Sequence, residues 1–464
     1  MKKALALILA VVMCLSLFAA CGDSSSSQNT TTTAAGTTKA GETTTAAPAK
    51  PVELKVVTMF GGDDPHTSAL KSLNKKFEEA TKNTVKDNSA QADEVWKTKV
   101  VADFNGGNVP DVLYYFNGAT GDPIVKSGKV VDLDTINAEF PEYGKNLNAD
   151  IVKKGANVAS DGKVYCMPFK GFVEPLYINK KAFEAAGATI PKSWDELMTA
   201  ITKLNEAGIT PFATTVGVEP NYFFEYLIVG AGGLDALKVS PKTMEEVPAS
   251  WATGLAEIKT LYDAKAFPKN TATLKAGAEV MNLFLTSKAA MYLDGTWASG
   301  NIPTADKAVE GQITQDDVVM VPMPTKDAQY YGNTIAGYSS GWYVTTDAWN
   351  DPDRKAAAMA YVQFMTTDEA IGEYIVAAGG IPASAGVEAK MDPAAVTPLF
   401  KEAARFSAED VKGGTYGPVQ DTMTQAARTF MATKMIKVAT GEMTAEDFVK
   451  GLVEQNNVAD APKE

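Results

Sequence analysis

Leu54-Lys-Val-Val-Thr-Met-Phe60, closed by Gly61-Gly62 and followed by apolar residues at Leu70, Leu73 and Phe77, decides the fold class. A β-branched run ending at paired glycines is a strand signal, and apolar spacing of i, i+3 and i+7 marks one face of a helix. The same order recurs along the chain. Asp111-Val-Leu-Tyr-Tyr-Phe116 reads as a second strand, ending at Asn117-Gly118. Ser193-Trp-Asp-Glu196 is a capping box, whose serine accepts from the amide three residues on while the glutamate reaches back. Leu197, Ile201 and Leu204 continue that helix and Gly208 closes it. Asp351-Pro352 opens another, with proline where its missing amide proton costs nothing. Strands alternating with helices predict an α/β architecture with largely parallel pairing. About 410 residues of such sequence exceed one core, so two lobes are expected.

Composition narrows the function classes. The 464 residues carry 43 basic and 56 acidic side chains, a net charge of −13, and 45% are hydrophobic. That rules out wholesale disorder, and it opposes nucleic-acid binding, which needs clustered Lys and Arg. Only Arg354, Arg405 and Arg428 offer guanidinium for bidentate anion recognition. A single histidine, His66, removes most zinc-site patterns and His-based triads, and it reads as a surface or loop residue.

The N-terminus reads as an export signal. Lys2 and Lys3 precede an uncharged, apolar stretch from Ala4 to Ala20, too short at 17 residues for a comfortable membrane span. Phe18-Ala-Ala-Cys21 resembles the bacterial lipobox, whose cysteine is lipidated and begins the mature chain. Phe18 stands where that motif usually has Leu. With Cys14 lost and Cys21 lipidated, Cys166 has no partner for an intramolecular disulfide. Removing residues 1–20 leaves 41 basic and 56 acidic groups, a charge of −15. Residues 22–50 hold nine Thr, four Ser and six Ala but no Leu, Ile, Val, Phe, Met, Trp or Tyr. Such a segment cannot bury enough surface to order itself, and as a coil it reaches roughly 30 Å. It reads as a tether to a lipid anchor. The most apolar stretch beyond it, Tyr222 to Leu234, is interrupted by Glu225 and three glycines.

Catalytic motifs fail on inspection. Gly337-Tyr-Ser-Ser-Gly341 matches a nucleophile elbow, but that arrangement needs a histidine later in the chain, and His66 lies far upstream. The segment reads instead as a turn or hinge. No phosphate loop is found, because the Gly-Lys pairs at Gly128, Gly144 and Gly162 lack the earlier glycine. Many acidic pairs could serve glycosidic cleavage, and nothing singles one out. No cofactor or metal is implied. Trp96, Trp194, Trp251 and Trp349 read as packing residues.

Several blocks carry a family resemblance. Gly162-Lys-Val-Tyr-Cys-Met-Pro168, Val173-Glu-Pro-Leu-Tyr-Ile-Asn-Lys180, Phe183-Glu-Ala-Ala-Gly187 and Pro191-Lys-Ser-Trp-Asp-Glu-Leu197 form one. Lys288-Ala-Ala-Met-Tyr-Leu-Asp-Gly-Thr-Trp297, and Asp353 to Phe364 with Thr367-Asp-Glu369, form the others. Together they resemble extracellular solute-binding protein family 1, sugar-binding lipoproteins of bacterial ATP-binding-cassette importers, similar in plan to maltose-binding protein. The resemblance spans roughly residues 53–455. It implies a type II periplasmic-binding-protein-like α/β fold: two lobes joined by hinge strands, with the ligand in the cleft between them. The boundaries it suggests are 1–20 for the signal and 21–52 for the lipidated cysteine and tether. The N-terminal lobe is then 53–172 with about 337–382, and the C-terminal lobe 173–336 with about 383–464.

A neutral sugar offers hydroxyls at its edges and apolar faces above and below, so its site needs carboxylates, amides and aromatic rings. Such groups converge at the C-terminal ends of strands in open sheets. Asp63, Asp64, Tyr115, Phe116 and Asn117 sit at such ends. The resemblance adds Glu174 as an acidic ligand residue and Trp297 as a stacking ring. It adds Glu219-Pro-Asn-Tyr222 as a ligand segment with one inserted residue, leaving Tyr222 or Phe223 as the ring that faces the cleft. Tyr338, beside the hinge glycines, and Tyr416, in place of a later tryptophan, complete the candidates. The expected function is a non-enzymatic, monomeric, lipid-anchored receptor facing outward from the membrane of a Gram-positive-type bacterium. It would bind a carbohydrate, in the first place an oligosaccharide, by lobe closure and deliver it to membrane permease subunits. The alternatives are a polyamine or peptide on the same scaffold, or a surface-anchored glycoside hydrolase.

Overall fold

The computed structural model describes residues 50–412 and 415–458, so the export signal, Cys21 and the tether up to Ala49 lie outside the described residues. Twelve strands among them build three four-stranded sheets. The first sheet holds β1 (Glu53–Thr58), β2 (Thr84–Asp87), β3 (Val112–Phe116) and β10 (Ser340–Val344), in the order β10-β3-β1-β2. The second holds β5 (Leu176–Asn179), β6 (Thr210–Ala213), β7 (Ala289–Leu293) and β8 (Val318–Val321), ordered β6-β7-β5-β8. Between them lies a small sheet of β4 (Lys170–Val173), β9 (Thr334–Gly337), β11 (Ile381–Pro382) and β12 (Thr415–Tyr416), ordered β11-β4-β9-β12.

Each large sheet is covered on both faces, as the two-residue alternation of strands requires. On one face of the first, Leu54, Val56, Tyr114 and Trp342 pack under helices Pro65–Thr81, Pro352–Met365 and Asp368–Ala378. On the other, Leu113, Tyr115 and Tyr343 pack under helices Glu94–Asn105 and Gly118–Lys126. In the second sheet, Leu176, Ile178, Phe212 and Met291 face a large core that includes helices Trp194–Glu206, Asn221–Gly232 and Ser250–Asp263. Tyr177, Tyr292 and Met320 face the opposite cluster. The result is the two-lobed type II fold.

Local signals hold in detail. Ser193 accepts from Glu196 N, Asp351 accepts from Asp353 and Arg354 N, and proline follows Asp351 at the start of its helix. Trp194, Trp96 and Trp251 are buried, as packing residues should be. Cys166 is free and buried, its thiol donating to Asn157 Oδ1. Strand pairing departs from the largely parallel expectation. Only β1–β2, β1–β3, β6–β7 and β9–β12 are parallel, and the other five pairings are antiparallel. The cause is that β5 and β10 enter their sheets from the joining strands instead of through a helical crossover, which is what enforces parallel pairing.

The joining sheet defines the centre of the molecule. β4 runs through Glu174-Pro175 into β5, β9 runs through Tyr338-Ser339 into β10, and β11 follows the helix Asp368–Ala378. The Gly337–Gly341 segment is therefore a turn between two sheets, as read from its sequence. Among the described residues, no helix is long and apolar enough to cross a membrane.

Candidate functional site

The centre is built first from Glu174, at the point where the chain leaves β4. Its amide donates to Ile335 O, and its own carbonyl accepts from the Tyr226 hydroxyl, which also accepts from Ile335 N at 3.2 Å. The backbone is thus pinned to β9 and to the helix Asn221–Gly232. The side chain is only 2% exposed, yet Glu174 Oε2 has no hydrogen-bond partner.

Register brings a second acid alongside. Leu176 pairs with Leu293 in antiparallel β5 and β7, so Asp294 falls opposite Pro175. Asp294 is buried, with its carboxylate accepting from the Tyr292 hydroxyl and, at 2.7 Å, from Gly295 N. A third acid comes from helix Asn221–Gly232. Tyr222, Glu225 and Tyr226 stand at i, i+3 and i+4 and so share a face. Glu225 is fully buried: its Oε1 accepts from Gln420 N at 3.0 Å, and its Oε2 has no partner. Burial, then the charges of Glu225, Asp294 and Asp421, hold the Glu174 carboxyl well above the usual carboxylate range. Burial also pushes Glu225 up to about 8, against its bond to Gln420, with Asp421 adding to the rise. Burial raises Asp294 too, against the pull of Tyr292, Tyr222 and Trp297.

Aromatic rings wall this floor. Trp297 is half-buried, its ring lying on Gly295, and Phe172 meets it edge-on at 4.8 Å between centroids. The choice between Tyr222 and Phe223 is resolved by packing. Phe223 is 1% exposed between Phe212 and Phe267, whereas Tyr222 is half-buried and senses the charges of Asp294, Glu219 and Glu174. Glu219 keeps an exposed surface at the start of this segment, within electrostatic range of Asp294 and of Lys97 from the first lobe.

The first lobe faces this wall with the loop after β1. Asp64 caps the helix Pro65–Thr81, accepting from Thr67 N at 2.7 Å, and Asp63 beside it is exposed. His66, in the first turn, is not the surface or loop residue expected. Its Nε2 lies 3.2 Å from Trp297 O in the second lobe, and its Nδ1 lies 2.8 Å from the Tyr374 hydroxyl. A carbonyl can only accept, so Nε2 carries the proton and Nδ1 accepts from Tyr374. Phe60 stacks on the imidazole at 5.6 Å, and Lys170 Nζ sits 5.5 Å above the Phe60 ring. Burial and the Lys170 charge lower His66 to about 3, so it is neutral. A second bridge between the lobes runs from Gln425 Nε2 to Thr98 Oγ1 at 3.2 Å.

Not every expected residue joins this group. Tyr115 is 1% exposed, packed against Trp96 and Phe116 with its hydroxyl 3.4 Å from Lys97 O. It points under a helix because it alternates with Tyr114 along β3. Asn117 is buried, and its amide donates to Asn157 Oδ1 and Tyr338 O, fastening the end of β3 to the turn before β10. Tyr338 is half-buried, its ring over Gly171 and its hydroxyl donating to Pro382 O, so it stiffens the joining sheet. Phe116 is half-buried under Lys97 Nζ at 4.7 Å. Tyr416 packs partly buried against the second lobe's core. A separate 490 Å³ depression lined by Phe140, Trp349 and Lys355 lies on the outside of the first lobe. Lys355 Nζ covers its tryptophan ring at 4.4 Å, so that ring is not open for stacking.

Asp294, Glu225 and Lys97 were missed from sequence. Asp294 follows a strand directly, the same signal that selected Asp63. Glu225 is the one acid inside the most apolar stretch of the chain, which is itself a sign of a specific role.

Known proteins agree with this architecture. The model of the bacterial extracellular solute-binding proteins matches residues 63–371. A multiple sugar-binding protein of Streptococcus mutans is 26% identical over 353 residues, covering 72% of this chain and 76% of its own. Among solved structures, a chitin oligosaccharide binding protein superposes with a TM-score of 0.75 at 23% identity, over 88% of this chain and 99% of its own. Maltose-bound MalE3 of T. maritima gives 0.69 at 19% identity, over 87% and 99%. The matched region runs through both large sheets and the strands that join them, and the chain belongs to the bacterial extracellular solute-binding proteins, a family of binding proteins and not of enzymes.

Proposed function

We propose that this protein is an extracytoplasmic receptor that encloses a carbohydrate between its lobes and delivers it to the permease of an ATP-binding-cassette importer. The observation that carries the reading is the half-buried Trp297 ring beside the acids Glu174 and Asp294, with Tyr222 on the same side. Rings supply the apolar faces a sugar needs, and carboxylates accept from its hydroxyls. The sugar-binding name of the streptococcal relative supports the same choice. Asp63, Asp64 and Phe116 would contribute from the first lobe, and Glu174, Glu219, Tyr222 and Trp297 from the second. Tyr115, Asn117 and Tyr338 would hold the scaffold. The N-terminal lobe is taken as 53–172 with about 337–382, and the remainder as the C-terminal lobe. The chain would act as a monomer, anchored outside the membrane through a lipid on Cys21, with residues 22–52 as its tether.

A thermal-shift screen of residues 22–464 against mono- and oligosaccharides, polyamines and amino acids tests the reading. A true ligand at a hundredfold excess over its dissociation constant stabilises by about 2.7 kcal/mol, which a melting curve resolves. A shift with a sugar class supports the proposal; a shift with amino acids alone would overturn it. Loss of radiolabelled palmitate from the full chain on Cys21→Ser tests the anchor.

A further inference from the structure

The floor of the cleft carries more negative charge than a neutral sugar uses. Glu174 comes from the crossing strand, Glu225 from the helix Asn221–Gly232, and Asp294 from the end of β7. All three are less than a tenth exposed, and none is paired with a Lys or Arg among the described residues. Glu174 accepts no hydrogen bond at its carboxyl, and one oxygen each of Glu174 and Glu225 is buried without a partner. A buried acid in that state is costly unless something is meant to meet it. Asp421 adds its charge from a fourth segment, while Tyr222, Tyr226 and Tyr292 present phenol groups that cannot neutralise acids. The nearest basic group of the chain to act there is Lys97, which acts on Glu219 at the edge. Lys170 is turned to Phe60 and Tyr374 in the other lobe.

We propose that the carbohydrate bound here carries a protonated amine, an amino sugar with its ammonium group seated between Glu174, Glu225 and Asp294. This rests on the carbohydrate reading above and adds the charge of the ligand. Hydroxyls can donate to each carboxylate, but they leave the repulsion among three acids in place, whereas one ammonium offers three donors and a positive charge. A divalent ion would also neutralise the acids, yet no group of three or more His, Cys, Asp or Glu among the described residues is spaced to hold one. The neighbouring rings of Tyr222 and Trp297 suit the cation as well as the sugar face. The held-up acids have a consequence: they carry protons near neutral pH and must release them when the ammonium arrives.

Calorimetric titration of residues 22–464 at pH 7 with glucosamine oligomers, their N-acetylated counterparts, glucose oligomers and spermidine tests this. The amine-bearing sugars are expected to bind at least about tenfold more tightly than both neutral series. Their binding enthalpy should differ between phosphate and Tris buffers in the sense of proton release. Glu225→Gln and Glu174→Gln should remove that preference while leaving neutral-sugar affinity within about twofold. Equal or tighter binding of a neutral series, or no proton release, overturns the amine and leaves the carbohydrate reading standing. Binding of spermidine with no sugar, or of nothing at all, overturns both. Should either variant fail to fold, the buffer dependence in the unaltered chain decides alone.

Discussion

Gly295 and Trp297 show how one residue without a side chain can govern a binding surface. A Cβ on Gly295 would stand 2.4–2.5 Å from three atoms of the Trp297 ring, closer than any side chain tolerates. Its backbone is extended, with φ −74°, so alanine would meet no conformational strain there. Gly295→Ala should therefore leave the melting temperature within a few degrees and displace the ring. If the ring is a central binding contact, worth about 2 kcal/mol, affinity for the sugar found in the screen should fall about 30-fold. Unchanged affinity in a calorimetric titration would remove Trp297 from the site. Glu225 gives a second residue-scale prediction. Its carboxyl sits near 8, against about 4.3 in the unfolded chain, so the folded form holds a proton that the unfolded form has released. Without ligand, stability should fall as pH rises from about 4.3 through 8. Neutral His66 works in the opposite sense below about 6.5, so the comparison must be between the chain and its variant. Denaturant melts across pH 5–8 should fall less steeply for Glu225→Gln, and parallel curves would refute the shift. At this scale the sequence was partly legible. Glu174 and Trp297 could be found because each stands in a recognisable block. Tyr115 could not be placed, because the face a strand residue takes depends on which helix covers it.

The elements matter through what their ends reach. Helix Pro65–Thr81 begins at an aspartate cap and extends His66 to Trp297 O, so one turn of one lobe grips the stacking residue of the other. His66→Ala removes a hydrogen bond that exists only when the lobes are together. Such a bond contributes about 0.5–1.5 kcal/mol, so ligand affinity should fall about 2- to 10-fold with the unfolding free energy nearly unchanged. Equal affinity in the variant would mean that the contact contributes nothing to closure. Elsewhere, Arg354 from helix Pro352–Met365 donates to both carboxylate oxygens of Asp111, at 2.9 and 2.8 Å, while Asp111 also accepts from Lys55 N. One ion pair thus joins a late helix to β1 and β3. Removing one partner of a buried pair costs about 3–5 kcal/mol, and partial exposure of Arg354 lowers that to about 2–3 kcal/mol for Arg354→Ala. Urea unfolding measures this, and a loss below about 0.5 kcal/mol would count against it. Helices and caps were readable because their signals are local. The mixed direction of the sheets was not, because it follows from where the chain returns after visiting the other lobe, hundreds of residues away.

At the scale of the whole molecule, the three joining segments decide what can move. Glu174, on β4's exit, and Tyr338, on β9's exit, are held by hydrogen bonds to neighbouring strands and to Pro382, so bending falls on few residues. Contacts across the lobes are sparse and polar, His66 to Trp297 and Gln425 to Thr98, beside the extensive apolar core within each lobe. Few weak bridges cannot keep rigid bodies together against the freedom they gain on opening. A ligand that touches both lobes adds the missing free energy, and closure shifts by no more than its differential affinity for the closed form. Small-angle scattering should therefore give a smaller radius of gyration for residues 50–464 with saturating ligand than without it. For about 410 folded residues the compact value is about 22 Å. His66→Ala should leave the unliganded curve unchanged or more open and require more ligand to reach the same compact curve. A radius that does not respond to a ligand already shown to bind would mean that the lobes are closed beforehand, and that the solute enters by another motion.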